Sequence, residues 1–380
     1  MRALARVDLG AIEHNCARLA ATAAPAQLCA VVKADGYGHG AVPAARAAQA
    51  GGARWLAVAT AAEAEGLRAA GLEGPLLVMG ALSDTELDVA LRARADVVAW
   101  REEFVAAIAA RGPAGVHVKL DTGMGRLGTR DVAEADRVAE AVAAAGGLRL
   151  AGAMTHFATA DDDPAFMREQ LAAFRPWADA LASRHDGLLV HAANSAATLG
   201  APESHLGMVR CGIAIYGMDP FQHDPAAHGL EPALELRSYV AAVKRIEPGQ
   251  SAGYGRRFVA DRGSWIGTVP IGYGDGVRRA LTNNADVLVD GRRVPLVGTV
   301  SMDNVAVDLG DEPVEPGAEA VLIGARGGER ILAEDVARRL GTINYEITCG
   351  ISPRVPREYG ESAGADSLAS SLREHRGDAL

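Results

Sequence analysis

Leu28-Cys29-Ala30-Val31-Val32-Lys33 is an apolar run that ends in an amine, and it continues at once as Ala34-Asp35-Gly36-Tyr37-Gly38-His39-Gly40. Its length and its Val/Ala content read as a buried strand that delivers Lys33 into a glycine-rich turn. The same kind of short apolar segment recurs at Trp55 to Val58, Leu76 to Met79, Asp96 to Ala99, Gly115 to Leu120, Leu148 to Met154, Leu188 to His191 and Met208 to Arg210. Between most of them lie helical stretches such as Asp131 to Ala145 and Ala165 to Ser183. Eight strands alternating with helices predict an α/β fold whose amino-terminal part, residues 1–228, is a (β/α)8 TIM-type barrel. Periodicity alone does not close a barrel, so a doubly wound open sheet is the structural alternative.

The pattern changes after Phe221 to Pro232, which holds two prolines, two histidines and a glycine and reads as a linker. Ser238 to Ile246, Trp265 to Ile271, Val287 to Asp290, Val294 to Val307 and Ala318 to Ile323 alternate or run apolar, with Asp290-Gly291 as a hairpin signal between two of them. A second, mostly-β domain is expected over residues 229–360, and residues 361–380 read as a polar tail. At 380 residues, two domains are the natural expectation.

The formal net charge of -10 disfavours a polyanionic partner, so nucleic acid binding is not expected. Arg2, Arg6, Asp8, Glu13 and His14 leave no room for the apolar stretch of a signal peptide, and no run reaches the length of a membrane span. Cys16, Cys29, Cys211 and Cys349 are scattered without metal-ligand spacing. They read as free thiols of a reducing compartment, which points to a cytoplasmic protein with no metal site.

Of 38 basic Lys+Arg residues only Lys33, Lys119 and Lys244 are lysines. Arginine cannot act as an amine nucleophile and lysine can, so each retained lysine invites a chemical explanation. Lys244 lies on a second-domain strand and reads as a solvated surface residue. The others fall where barrel active sites collect, at the carboxyl ends of strands. Lys33 follows the first, Lys119 and Asp121 end the fifth, His156 follows the sixth, Asn194 and Ser195 follow the seventh, and Arg210 with Gly212 ends the eighth. A desolvated Lys33 loses its proton readily and can condense with a carbonyl, which implies a carbonyl cofactor, pyridoxal phosphate being the usual one. Gly212-Ile213, Ser195 and Tyr37 could supply its phosphate with amides and hydroxyls. Lys119 and Asp121 should share a face by strand alternation, close to Arg126, and their plain reading is an ion pair.

Ala30 to Gly40, Lys119-Leu120-Asp121-Thr122-Gly123-Met124-Gly125-Arg126-Leu127-Gly128, Thr155-His156-Phe157-Ala158, His191 to Ala196, Arg210-Cys211-Gly212-Ile213, Gly253-Tyr254-Gly255, Gly272 to Gly276, Met302-Asp303 and Gly341 to Glu346 occur in one order along the chain. With these motifs the sequence resembles the alanine racemases, the fold-type III pyridoxal enzymes, over essentially its whole length to about residue 359.

The resemblance implies a pyridoxal 5'-phosphate-dependent interconversion of L- and D-alanine, supplying D-alanine for peptidoglycan. It implies that Lys33 holds the cofactor through its amine and is the base for the D-alanine α-proton, and that Tyr254 is the opposite base, acting on L-alanine. It gives His156 as the hydrogen-bond partner of Tyr254 with Arg210 behind it, and Arg210 as the residue facing the pyridine nitrogen. Asn194 joins Tyr37, Ser195, Gly212 and Ile213 as cofactor contacts, and Arg126 with the Met302 amide meets the substrate carboxylate. Lys119 is expected as the carbamylated N6-carboxylysine that orients Arg126, and a head-to-tail homodimer lends each site Tyr254 from the partner. Pro353 stands where some members carry a tyrosine near the phosphate, and Ser301 where some carry a cysteine. Two rival functions share the barrel: an amino-acid decarboxylase, which would need a second-domain cysteine and aspartate pair, and a non-catalytic pyridoxal phosphate homeostasis protein, which would lack the second domain.

Overall fold

The apolar runs become parallel strands because valine, leucine and alanine side chains are buried along them, as a sheet covered on both faces requires. In the computed structural model, which describes residues 1–360, the first strand, β1 (Ala3–Asp8), precedes eight that close on themselves: β2 (Gln27–Val31), β3 (Trp55–Val58), β4 (Leu76–Val78), β5 (Asp96–Ala99), β6 (Ala114–Lys119), β7 (Leu148–Met154), β8 (Leu189–His191) and β9 (Met208–Cys211). Cys29 of β2 pairs with Trp55 of β3 on one side and Arg210 of β9 on the other, which closes the barrel and removes the open-sheet alternative. Helices start where the sequence caps them. Asp8 accepts from Ala11, and Thr60 with Glu63 and Ser83 with Glu86 form reciprocal capping boxes.

One boundary differs from the sequence reading. β1, placed with the barrel, lies instead in the large sheet of the second domain, antiparallel to Leu234–Tyr239 and parallel to Arg357–Gly360. Its register puts Ala3, Ala5 and Val7 on the buried face. The chain therefore starts in one domain, builds the other, and returns.

The second domain carries a ten-stranded sheet. Asp290 and Gly291 have φ of 47° and 81°, and Val289 pairs with Arg292, so the two-residue hairpin forms as its sequence asks. The run Val294 to Val307 is not one strand but two, Arg292–Val297 and Val305–Gly310. Gly298, at φ 74°, turns the chain out of the sheet between them, and the resulting loop presents Met302. Two helices the sequence reading did not contain, Ala333–Leu340 and Asn344–Cys349, also belong here. The expected tail, 361–380, lies outside the described residues. Lys244 is exposed on its strand.

The domains meet at the turn that follows Lys33. Arg357 Nε donates to the Gly38 carbonyl over 3.1 Å, and a Cβ at Gly38 would lie 2.2 Å from the Thr348 carbonyl oxygen. Beside it, buried His39 donates from Nδ1 to the carbonyls of Gly36 and Tyr37 at 3.0 and 3.1 Å and stacks on Tyr216. Burial lowers its pKa from 6.5 to about 4. The folded value lies below the unfolded one, so this stability is fully present above pH 6.5 and is lost as pH falls toward 4. About 2 kcal/mol of it should go between about pH 7 and pH 5. Urea unfolding at both pH values should show a smaller acid-induced loss in His39→Gln than in the wild type, and equal losses would oppose the assignment.

Candidate active site

Lys33 stands at the carboxyl end of β2, half-buried, at the head of an unusual turn. Ala34, Asp35, Gly36 and Tyr37 all have left-handed φ, of 53°, 52°, 61° and 55°. Three of these four are not glycine, so the conformation costs energy that its surroundings must repay. Glu63 does so from the first turn of the helix Ala61–Ala69, accepting from the amides of Ala34, Ala59 and Thr60, and Asp35 accepts from Ala41. Burial and then the charge of Arg126 lower the Lys33 pKa, against weaker support from Glu63 and Cys349.

Lys119 ends β6, buried, and no carboxylate among the described residues pairs with it. The alternative ion pair with Asp121 does not form. β6 stops at Lys119, so strand alternation no longer governs Asp121. Its carboxylate turns to its own loop, accepting from the amides of Gly123 and Gly125 and from Arg130. Burial, then Arg210, then Arg126 push the Lys119 pKa down to about 8. At neutral pH roughly a tenth of the amine is then uncharged.

Arg210, on β9, is buried and bonded on two of its three nitrogens. Nη1 donates to His191 Nδ1 at 2.7 Å, and Nη2 to the carbonyls of Thr155 and Ala192, both at 2.9 Å, and to His156 Nδ1 at 3.1 Å. Its Nε has no partner among the described residues, which leaves that N–H open to an acceptor. His156 is held well below the usual histidine range by burial and then by Arg210, Lys119, Arg126 and Lys33. Its ring is therefore neutral and, because Nδ1 accepts from Arg210, carries its proton on Nε2. Four cations converge here, and the site's chemistry is that of an anion receptor.

The loop after β9 supplies a second group of donors. A Cβ at Gly212 would sit 2.3 Å from Tyr37 Oη, so only glycine leaves room for that hydroxyl. Ser195 Oγ accepts from the amides of Gly212 and Ala214 at 3.0 and 3.4 Å, which fixes the oxygen, and its hydroxyl also reaches the Cys211 thiol. The Gly212 amide is thereby committed. The Ile213 amide and Tyr37 Oη have no partner among the described residues. Asn194, expected at the cofactor, uses its carboxamide oxygen to cap Ser195–Gly200 by accepting from Ala197. Two open donors, the Ile213 amide and the Tyr37 hydroxyl, with the Ser195 hydroxyl nearby and a glycine notch beside them, suit a phosphate group, and the free Arg210 Nε–H suits a ring nitrogen, so the residues fit pyridoxal phosphate.

Tyr254 and Met302 form a separate group. Both are exposed, 74% and 52%. Thr299 Oγ1 donates to the Tyr254 carbonyl at 2.7 Å, and Gly274 donates to the Met302 carbonyl, which binds the loops into one face. The Met302 amide has no acceptor among the described residues. No hydrogen bond or ion pair joins either residue to Lys33, Lys119, Arg126, His156 or Arg210 within the chain. His117, His191 and Glu63 were not singled out from the sequence. His117 lies two residues before Lys119 on the same strand, and that spacing was the signal available for it.

The chain matches the family models described as "Alanine racemase, N-terminal domain" over residues 7–220 and "Alanine racemase, C-terminal domain" over 233–359. It is 45% identical to the alanine racemase of Thermobifida fusca, over 93% of this chain and 97% of that protein. It is 42% identical to that of Geobacillus stearothermophilus, over 93% and 92%. The crystal structure of alanine racemase from Streptomyces lavendulae superposes with a TM-score of 0.91 at 38% identity, covering 95% of this chain and 98% of that one. With both domains matched in order and with solved relatives sharing the whole fold, this chain is a member of the alanine racemase family.

Proposed function

We propose that the protein interconverts L- and D-alanine with pyridoxal 5'-phosphate as cofactor, through two bases on opposite sides of the substrate carbon. The observation that carries the reading is the convergence of Lys33, Lys119, Arg126, His156 and Arg210 at the carboxyl ends of the barrel strands, in a chain whose relatives bear the name alanine racemase. Incubation with L-alanine and added cofactor, followed by chiral chromatography, should approach equal amounts of both enantiomers. Recovery of L-alanine alone would oppose the proposal.

Lys33, Arg210, Tyr37, Ser195 and Ile213 would hold the cofactor. When bound, pyridoxal phosphate offers a carbonyl carbon to an amine and an electron-withdrawing ring that acidifies the neighbouring C–H bond. Arg210 keeps its proton at neutral pH, since burial brings its pKa down only to about 10. It therefore donates to the ring nitrogen without protonating it. Arg126 forks onto the substrate carboxylate, joined by the Met302 amide. Lys33 moves the α-proton on the D side, helped by a pKa lowered toward neutrality.

The L side needs a second base, because inversion removes a proton from one face and returns it to the other. Tyr254 suits the role once a donor holds its phenolate, and the neutral His156 has its Nε2–H to give. Exposure of Tyr254 and Met302, with no bond to the barrel residues of their own chain, supports a homodimer in which each site takes both from the partner. No helix among the described residues is long and apolar enough to cross a membrane. The reading extends to a cytoplasmic supply of D-alanine for peptidoglycan, consistent with four unpaired cysteines.

The same reading assigns Lys119 as a carbamate. The uncharged amine attacks carbon dioxide, a C–N bond forms, and a proton leaves to solvent, turning one cation between Arg210 and Arg126 into an anion. NMR under carbon-13 dioxide should show a carbamate signal that is missing from Lys119→Arg. An unmodified amine in the wild type would remove the assignment.

A further inference from the structure

Arg210 is tied to the far end of the barrel by a column of three side chains. His191, last residue of β8, accepts from Arg210 Nη1 at 2.7 Å through Nδ1. Its Nε2 lies 2.8 Å from Nδ1 of His117, on β6. His117 Nε2 lies 3.3 Å from Oδ2 of Asp96, the first residue of β5, which Arg149 also contacts at 2.9 Å. Both imidazoles are fully buried.

The proton positions follow from the two ends. Arginine only donates, so His191 Nδ1 is bare and its proton sits on Nε2. His117 Nδ1 must then accept, which places its proton on Nε2, aimed at a carboxylate that only accepts. Reversing either ring would set N–H against N–H or leave Arg210 without its acceptor.

The barrel makes room for this column. A Cβ at Gly115 would lie 2.3 Å from Asp96 Oδ1, and one at Gly152 would lie 2.3 Å from His117 Nδ1. Neither glycine has the positive φ that would otherwise call for one. Trp55 closes on His117 edge-on, with centroids 5.6 Å apart. Space for the column is thus built by the column's own strand β6 and its neighbour β7.

We propose that Asp96 is a positioning residue for Arg210, acting through His117 and His191 by fixing both ring tautomers so that Arg210 always finds an acceptor on Nη1. Aligned hydrogen bonds polarise one another, so the carboxylate also strengthens the acceptor that Arg210 meets. Its kinetic consequence rests on the proposed racemase reading, whereas the ring protons do not.

Nitrogen-15 labelling of histidine in the purified protein reads its 10 imidazoles directly. His117 and His191 should each show the Nε2–H tautomer alone. Asp96→Asn keeps the volume, removes the charge and should shift the signals of both rings, while Arg149→Ala, which leaves the carboxylate in place, should keep both tautomers and shift His191 less than Asp96→Asn does. In the cofactor-loaded protein Asp96→Asn should lower kcat about tenfold with KM within about twofold, the lower end of what outer partners of functional histidines contribute. Arg149→Ala should leave kcat unchanged. A proton on Nδ1 of either ring in the wild type overturns the proposal, and so does Asp96→Asn with His191 signals and kcat like the wild type. Equal effects of Asp96→Asn and Arg149→Ala would reduce Asp96 to an ordinary ion pair. If Asp96→Asn does not fold, the wild-type tautomers decide alone. Absence of racemisation in the wild type as well would count against the functional reading, while the ring protons would still decide the column.

Discussion

Lys33→Arg should lower alanine racemisation by about 1,000-fold or more. Arginine keeps the positive charge and nearly the length of lysine, so the electrostatics and packing around β2 change little. What is lost is an amine that can be deprotonated, both as nucleophile and as base. The lowered pKa of Lys33, caused first by burial and then by Arg126, shows that its surroundings favour the uncharged amine this role requires. Chiral chromatography after incubation from either enantiomer reads the loss. Activity within tenfold of the wild type would remove Lys33 from the centre of the chemistry.

Tyr254→Phe should stop racemisation while leaving one half of the proton chemistry intact. Phenylalanine preserves the ring and removes only the hydroxyl, and Tyr254 is exposed in the single chain, so folding should not suffer. With Lys33 still in place, D-alanine should exchange its α-proton for solvent deuterium and keep its configuration. L-alanine should exchange at least about 100-fold more slowly than in the wild type. Proton NMR of each enantiomer in deuterated water separates the two rates. Equal slowing of both enantiomers would contradict the assignment of one base to each face.

The barrel was readable because parallel strands are mostly buried, so each appears as a short, largely apolar run, and Trp55–Val58 and Leu148–Met154 match their expected bounds. β1 was not readable. Its alternation in Ala3, Ala5 and Val7 is carried mostly by alanine, and its partners Leu234–Tyr239 and Arg357–Gly360 lie across the whole chain. The split of Val294 to Val307 turns on Gly298, whose positive φ has no signature in an apolar run that continues on both sides.

Within the site, strand ends told which residues gather at the barrel mouth but not how they bond. Left-handed φ at Ala34, Asp35 and Tyr37 runs against residue preference and is held by Glu63 and Arg357 from outside the turn and by the Asp35 side chain within it. Asp121 was misjudged because alternation was carried one step past the end of β6. The column from Asp96 to Arg210 depends on pairings between strands remote in sequence, and no spacing rule brings them together.

Inversion at the α-carbon by proton exchange can be followed in a single reaction of wild-type protein with pyridoxal phosphate and L-alanine in deuterated water. Optical activity and α-deuterium content are measured together. Decay of optical activity accompanied by deuterium at the α position is the expected result. Bound cofactor with both optical activity and the α-proton unchanged would contradict it.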